Sequence, residues 1–416
     1  LVNVEPTEDG KLVIKTVAQP TFTRDSIAYK SDGSQVAENQ PRIDVIDGVM
    51  GLMLEEGTTN LVSNGSFETL QGGQSPWGDF TITASTDTTT KVYGNASQKH
   101  VVTGTSGGAR CYIFNNIAVS AGTKYSISVW FKGDRTITTA SNLIYVRFYD
   151  SSGAQISAGS YNALPLSTSW QRHIATVTAP SGAVKMSVEC YVYQTVTLWA
   201  DGLLVEAKPY PTSFIDGTRA AESLTIPTAG VFTKGNWTVE LNFTPTSRQD
   251  NGAWSRIFEI YIDDNNAYRI HSNPNGYLAV SIRSGGTYYS ISDNVKMEVG
   301  QTYFVSVSGN GSVMRLFKNG VQVGSDRPYI EPMGALPTNM YIGSASYGGG
   351  HANGAVGVVD YSPSLRACLF DGRTQRPPHR RSASQIANGD PPRRSQCDRH
   401  GASAIPARPS AALHQL

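Results

Sequence analysis

The chain has 416 residues, of which 16% are charged, and it is rich in Gly (41) and Tyr (20), enough length for two or three domains with cores of their own. Its formal net charge is +1, but residues 361–416 carry nine Arg, no Lys, three Asp and no Glu, so the rest is net −5. A mildly acidic body excludes nucleic acid as the main partner, since phosphate binding draws on a basic face. No apolar run approaches the roughly 18–20 residues of a membrane helix, so no membrane insertion is expected, and no stretch reads as a secretory signal.

In chain order, residues 1–59 read as an irregular leader with one short strand over 20–29 and a turn at Asp32-Gly33. It closes on Val49-Met50-Gly51-Leu52-Met53-Leu54-Glu55-Glu56-Gly57-Thr58-Thr59-Asn60-Leu61. The part from Glu55 to Leu61 resembles a segment that precedes sugar-binding modules in phage and prophage tail-associated proteins. That resemblance implies an extracellular or virion-associated setting.

Residues 60–208 form a first β domain. Tyr125, Ile127, Val129 and Phe131 alternate with Ser126, Ser128 and Trp130. Ile144, Val146 and Phe148 alternate with Tyr145, Arg147 and Tyr149. Val184, Met186, Val188, Cys190 and Val192 alternate with Lys185, Ser187, Glu189, Tyr191 and Tyr193. Period two gives each strand an apolar side for a core and an opposite side of aromatic and polar groups. Two such sheets face to face make a sandwich or jelly roll. If the strands are neighbours, Trp130, Tyr145, Arg147, Tyr149, Glu189, Tyr191 and Tyr193 build one platform of flat rings and hydrogen-bonding groups suited to carbohydrate. Trp77 and Trp170 read as core or edge packing. Cys111 and Cys190 fall in strands of this domain, as buried free thiols or as a pair. With Cys368 and Cys397 they lie outside any C-x-x-C motif, which argues against zinc.

The domain opens with Asn60-Leu61-Val62-Ser63-Asn64-Gly65-Ser66-Phe67-Glu68 and closes with Leu198-Trp199-Ala200-Asp201-Gly202-Leu203-Leu204-Val205-Glu206. These runs resemble the first and last strands of family 4/9-type carbohydrate-binding modules. The resemblance implies a polysaccharide or cell-surface glycan as partner. It also implies a structural Ca²⁺ near the junction of the two strands, where Glu68 and Asp201 take the matching positions and would supply hard oxygen ligands.

Residues 209–235, punctuated by Pro209, Pro211 and Pro227, read as a linker. Residues 236–360 form a second β domain. It opens on Asn236-Trp237-Thr238-Val239-Glu240-Leu241-Asn242-Phe243 and contains a hairpin turning at Asn319-Gly320, then Tyr341-Ile342-Gly343-Ser344. Asp263-Asp264-Asn265-Asn266 reads as a hairpin turn. This order resembles a concanavalin A-like (laminin G-like) sandwich. After Val358-Val359-Asp360 the periodicity stops in mid-strand, and 361–416 reads either as a disordered basic arm or as the product of a frameshift.

Catalytic patterns are sparse. There is no HExxH, GxSxG or Walker P-loop. Glycoside hydrolysis needs two carboxylates across a cleft, and Glu189 with Asp150 or Glu206 is the only combination to consider. His173 reads as a satisfied strand histidine. The expected protein is all-β: two tandem β-sandwich (jelly-roll) domains that bind polysaccharide without catalysis, with possible homo-oligomerisation. The rivals are an accessory region of a secreted polysaccharide-degrading enzyme and a structural fibre spacer.

Overall fold

The computed structural model describes residues 2–6, 12–16, 19–46, 49–138, 141–161, 165–250, 252–347 and 350–357, and every regular element among them is a strand. The tail 361–416, with Cys368 and Cys397, lies outside the described residues. No helix among the described residues is long and apolar enough to cross a membrane.

The first sandwich packs two five-stranded sheets. One runs Thr81–Asp87, Ser97–Thr103, Val196–Glu206, Lys124–Gly133, Gln171–Thr178; the other runs Gln155–Ser160, Ser141–Tyr149, Lys185–Val192, Gly107–Ala118, Gln74–Gly78. The period-two apolar positions meet between them: Val129, Phe131, Ile144, Val146, Phe148, Met186, Val188 and Cys190 are all essentially inaccessible. Cys111 lies opposite Cys190 on the adjacent strand, and both are buried free thiols.

The second sandwich packs two seven-stranded sheets. Its Asn236–Pro245 strand and its Val313–Lys318 and Val321–Pro328 hairpin follow the sequence expectation. Asn319 (φ 53°) and Gly320 (φ 78°) both take the left-handed conformation that a two-residue hairpin turn requires. Asp263 and Asn266 likewise face each other at a hairpin end.

The segments expected as irregular leader and linker are strands of this second sandwich. Thr21–Thr23 pairs with Ser223–Pro227 at the edge of one sheet, while Val49–Leu54 and Ile43–Ile46 complete the other through Gly354–Gly357. The first sandwich is therefore inserted into the second. These strands are short, and Thr21 finds its partner Thr225 some two hundred residues away, which local periodicity cannot reveal.

At the point of insertion sits a buried ion cluster. Glu222 accepts from Arg24 (3.1 Å) and twice from Arg42 (2.9 and 2.7 Å), while Glu55 accepts from Arg42 (2.7 Å) and pairs with Arg219 at 3.2 Å. All five side chains are at most 2% exposed. Burial alone would raise the Glu55 carboxyl, but the Arg42 and Arg219 charges outweigh it and hold it well below the usual carboxylate range. The Ser213 amide also donates to Glu55 at 3.3 Å, so the cluster reaches into the chain leaving the inserted sandwich.

Candidate functional site

The outer face of the sheet containing Ser141–Tyr149 and Lys185–Val192 brings together six of the seven residues expected there. Tyr145 lies opposite Glu189, Arg147 opposite Ser187 and Tyr149 opposite Lys185. Because the strands are direct neighbours in register, their non-core sides make one surface. Tyr145 and Tyr191 rings meet at 4.7 Å, and Tyr191 and Tyr193 stack at 6.4 Å. The Arg147 guanidinium lies 5.1 Å over the Tyr145 ring. Tyr149 occupies the end of the surface nearer Lys185.

Below the rings is a polar floor. Glu189 is fully buried and accepts from Arg147 Nε (3.1 Å), Ser187 Oγ (2.7 Å) and the Tyr191 hydroxyl (3.2 Å). Arg147 spends its other two nitrogens on Gln155 and the Tyr191 hydroxyl. Burial would lower the Arg147 pKa, but the bonds to Tyr191 and Glu189 prevail and raise it. Arg110 approaches Glu189 at 4.0 Å from the neighbouring strand. Arg147 and Glu189 are thus fully engaged with their neighbours, and what the surface offers to a ligand is ring faces.

Trp130 does not belong to this surface. Its strand, Lys124–Gly133, is in the opposite sheet, so its non-core side faces the other way. There it packs against Tyr93 at 6.4 Å and lines a cleft of about 210 Å³ between the sandwiches with Lys30, Asp44, Arg172 and Phe214. Alternation shows which side of a strand a residue occupies but not which sheet the strand joins.

The residue sequence reasoning assigned elsewhere is Trp77. It lies on the edge strand Gln74–Gly78, is 40% exposed, and brings its ring 5.9 Å from Tyr191 and 5.8 Å from Tyr193. Gly108, facing it, makes room: a Cβ there would come within 2.5 Å of the Trp77 ring and 2.9 Å of the Tyr193 ring. Strand Gln74–Gly78 has a proline at its centre and a glycine at its end, so it carries no readable alternation; the Gly107-Gly108 pair was the available signal.

The opening motif is a set of turns rather than a strand. Asn60 is buried and ties both ends of the insertion, donating to the carbonyls of Leu203 (2.9 Å) and Ile215 (3.0 Å). Gly65 lies so close to the Leu203 carbonyl that a Cβ would come within 2.2 Å. Glu68 and Asp201 converge on one loop. Asp201 accepts from the amides of Val92 (2.6 Å), Tyr93 (2.9 Å) and Gly202 (2.6 Å), and Glu68 accepts from Asn95 (2.6 Å). Burial pushes the Asp201 carboxyl up to about 7, the three amides oppose this, and the charge of Glu68 adds to it. Glu68 and Asp201 supply two acids around this loop, and no group of three or more His, Cys, Asp or Glu converges among the described residues.

The carboxylates considered for hydrolysis do not share a cleft. Glu206 is buried on the opposite sheet, bonded to Thr58 (2.5 Å) and Thr212 (2.7 Å), with the core between it and Glu189. Asp150 is engaged by its own turn, accepting from Ser152 and Ala154. His173 is buried with its ring edge-on to Phe131 at 5.4 Å.

Residues 216–362 match the family described as the concanavalin A-like lectin/glucanases superfamily (Laminin_G_3). The second sandwich is thus a concanavalin A-like domain, completed by strands from residues 21–54. No curated protein matches the chain. Among solved structures, it is similar to the enzymatically active domain of tailspike protein 4 of Bacteriophage CBA120 (20% identity, 38% of this chain and 22% of that one, TM-score 0.29). It is also similar to the CBM22-1 xylan-binding domain from Paenibacillus barcinonensis (15% identity, 36% and 96% covered, TM-score 0.27). The tandem CBM22-1–CBM22-2 domain from the same organism matches over 70% of this chain and 91% of its own length, at 12% identity and a TM-score of 0.27. The chain spans about a fifth of the tailspike's length.

Proposed function

We propose that the inserted sandwich binds polysaccharide without catalysis, on the surface formed by Trp77, Tyr145, Arg147, Tyr149, Glu189, Tyr191 and Tyr193. In this reading the protein is the adhesive part of a phage or prophage tail-associated protein that holds a bacterial surface glycan. The observation that carries it is the cluster of Trp77, Tyr145, Tyr191 and Tyr193 rings over a buried Glu189 bonded to Arg147. Flat apolar faces suit the C–H faces of pyranose rings, and the pair below fixes their angle. With its guanidinium already engaged, the surface suits uncharged sugars. Single-site affinity would be modest, and several copies acting together would supply avidity. Ca²⁺ held by Glu68 and Asp201 would pin the domain's ends and relieve their mutual repulsion.

The test is a glycan array on the full chain, followed by affinity electrophoresis in the polysaccharide that binds. Replacing Tyr145, Tyr191 and Tyr193 together by Ala is expected to weaken retention by about 100-fold or more, the scale of losing roughly 3 kcal/mol of contact. Trp77→Ala, at an exposed position, is the companion variant if the triple does not fold. No glycan retained, or retention unchanged in both variants, overturns the reading. A chelator should lower the melting temperature of the full chain; an unchanged temperature removes calcium alone.

A further inference from the structure

The second sandwich is open along one edge. Thr21–Thr23 and Ile43–Ile46 are outermost strands of its two sheets. Arg24 follows the first, Arg42 precedes the second, and both bond Glu222, so these two edges lie on the same side of the sandwich. Phe22 and Leu52 pack on the second core. Ile43 lies opposite Leu52, and Val45 opposite Met50, so alternation carries the core-facing side of the sheet outward through these residues. There it meets solvent: Ile43 is 41% exposed, Val45 51% and Met50 68%. The other side of the edge strand is already taken, since Asp44 accepts from the Ser31 amide (2.8 Å) and hydroxyl (2.7 Å).

The chain itself supplies a cover in the right place. Strand Thr21–Thr23 runs toward the ion cluster, so the residues before Thr21 leave the sheet at the end away from it. The paired strands Ile43–Ile46 and Val49–Leu54 begin and finish at the cluster through Arg42 and Glu55, which puts Val45 and Met50 at that same far end. The elements preceding Thr21 are Val2–Pro6 and Leu12–Thr16, paired from Val2 opposite Thr16 to Pro6 opposite Leu12 as a two-stranded sheet of their own. Their register assigns Val2, Val4, Pro6, Leu12 and Ile14 to one side, and Asn3, Glu5, Val13 and Lys15 to the other. An isolated pair of strands is marginal in water and gains stability by lying on an apolar surface. Four residues separate Thr16 from Thr21. They reach up to about 17 Å, against the roughly 5 Å between neighbouring strands that the ribbon has to cross.

We infer that the strip formed by Ile43, Val45 and Met50 is the docking surface for the N-terminal strand pair, residues 2–16, of the same chain. Laid on the strip, the ribbon completes the core of the second sandwich at its open end. The test is hydrogen exchange on the full chain, with sedimentation alongside. The amides of both N-terminal strands are expected to exchange at least about tenfold more slowly than an unstructured chain, and equally at low and high protein concentration. Met50→Asp and Val45→Asp, both at exposed positions, should each remove that protection and leave the strands of the inserted sandwich as in the parent. Val321→Asp, at a position 61% exposed on the opposite edge strand Val321–Pro328, should leave the protection intact. Exchange at the unstructured rate in the parent, protection that survives both aspartate variants of the strip, or equal loss in Val321→Asp would overturn the docking. Protection that appears only as concentration rises, together with a dimer in sedimentation, assigns the strip to a second copy and overturns it as well.

Discussion

The two sandwiches place the same device on an outer sheet face and finish it differently. In each, a buried glutamate is gripped by an arginine from the neighbouring strand, and aromatic rings stand around the pair. Around Glu189 every nitrogen of Arg147 is bonded. Around Glu259 the second arginine, Arg256, forms a longer ion pair at 3.5 Å. In both, a second arginine stands farther off, Arg110 at 4.0 Å from Glu189 and Arg256 at 3.5 Å from Glu259, so the two floors differ in the aromatic rings above them. The neighbours differ too: Gln155 and the Tyr191 hydroxyl engage Arg147 in one case, and the Ser346 amide engages Glu259 in the other.

The comparison depends on the two faces belonging to one stable body, so its severest test is at the joint. Glu222 holds Arg24 and Arg42 and pairs with Arg219 at 3.7 Å, all without solvent. Glu222→Gln leaves three buried guanidinium groups with Glu55 as their one remaining acid in the cluster. Breaking a buried pair from one side costs about 3–5 kcal/mol. A large fall in the denaturant midpoint is expected, with loss of the edge strands Thr21–Thr23 and Ser223–Pro227 seen by hydrogen exchange. A midpoint within error of the parent would mean that the cluster does not hold the joint.

The next effect separates the sandwiches by acid. His100 and His173 in the inserted sandwich are fully buried, and burial pushes both down to about 4. His271 in the second is pushed down to about 3, by burial first and by Arg256 and Arg269 in addition. An unfolded histidine titrates near 6.5, so below that pH the unfolded chain binds protons the folded chain refuses. For His100 and His173 the stabilisation is complete above about pH 6.5 and is lost as pH falls to 4, roughly 3 kcal/mol each. With two such groups, strands Ser97–Thr103 and Gln171–Thr178 should lose exchange protection at pH 4.5 before Asn266–Ser272 does. Equal protection at pH 4.5 and 7.5 would show that the rings already carry protons in the fold.

What was readable in the chain follows from the range of the forces involved. Alternation at Tyr145, Arg147 and Tyr149 and at Glu189, Tyr191 and Tyr193 identified both the core and the platform, because side-chain period is a local property. Trp130 went astray because sheet membership is set by pairing, and its strand pairs with Val196–Glu206 in the other layer. Glu55 sat in a segment noted only for its resemblance, yet its carboxylate meets Arg42 and Arg219, the latter from a stretch expected as linker. Arg256 and Glu259 passed unremarked, since nothing in a run of alternating residues tells which ion pairs neighbouring strands will form.

The smallest expected effect addresses the tyrosine-rich face most directly. Gly108 sits within the strand Gly107–Ala118, beneath the rings of Trp77 and Tyr193. Alanine at this position puts a methyl group where the Trp77 ring now lies, and the flexible partner must give way. The edge strand Gln74–Gly78 is free on its other side, so the indole can swing outward while the core of the sandwich stays intact. Gly108→Ala should therefore melt close to the parent and lose affinity for the bound polysaccharide by about tenfold or less, through displacement of the Trp77 ring and a smaller shift of Tyr193. Undiminished polysaccharide affinity, with the indole shown by its fluorescence to have moved, would remove Trp77 from the surface and leave the three tyrosines to carry recognition.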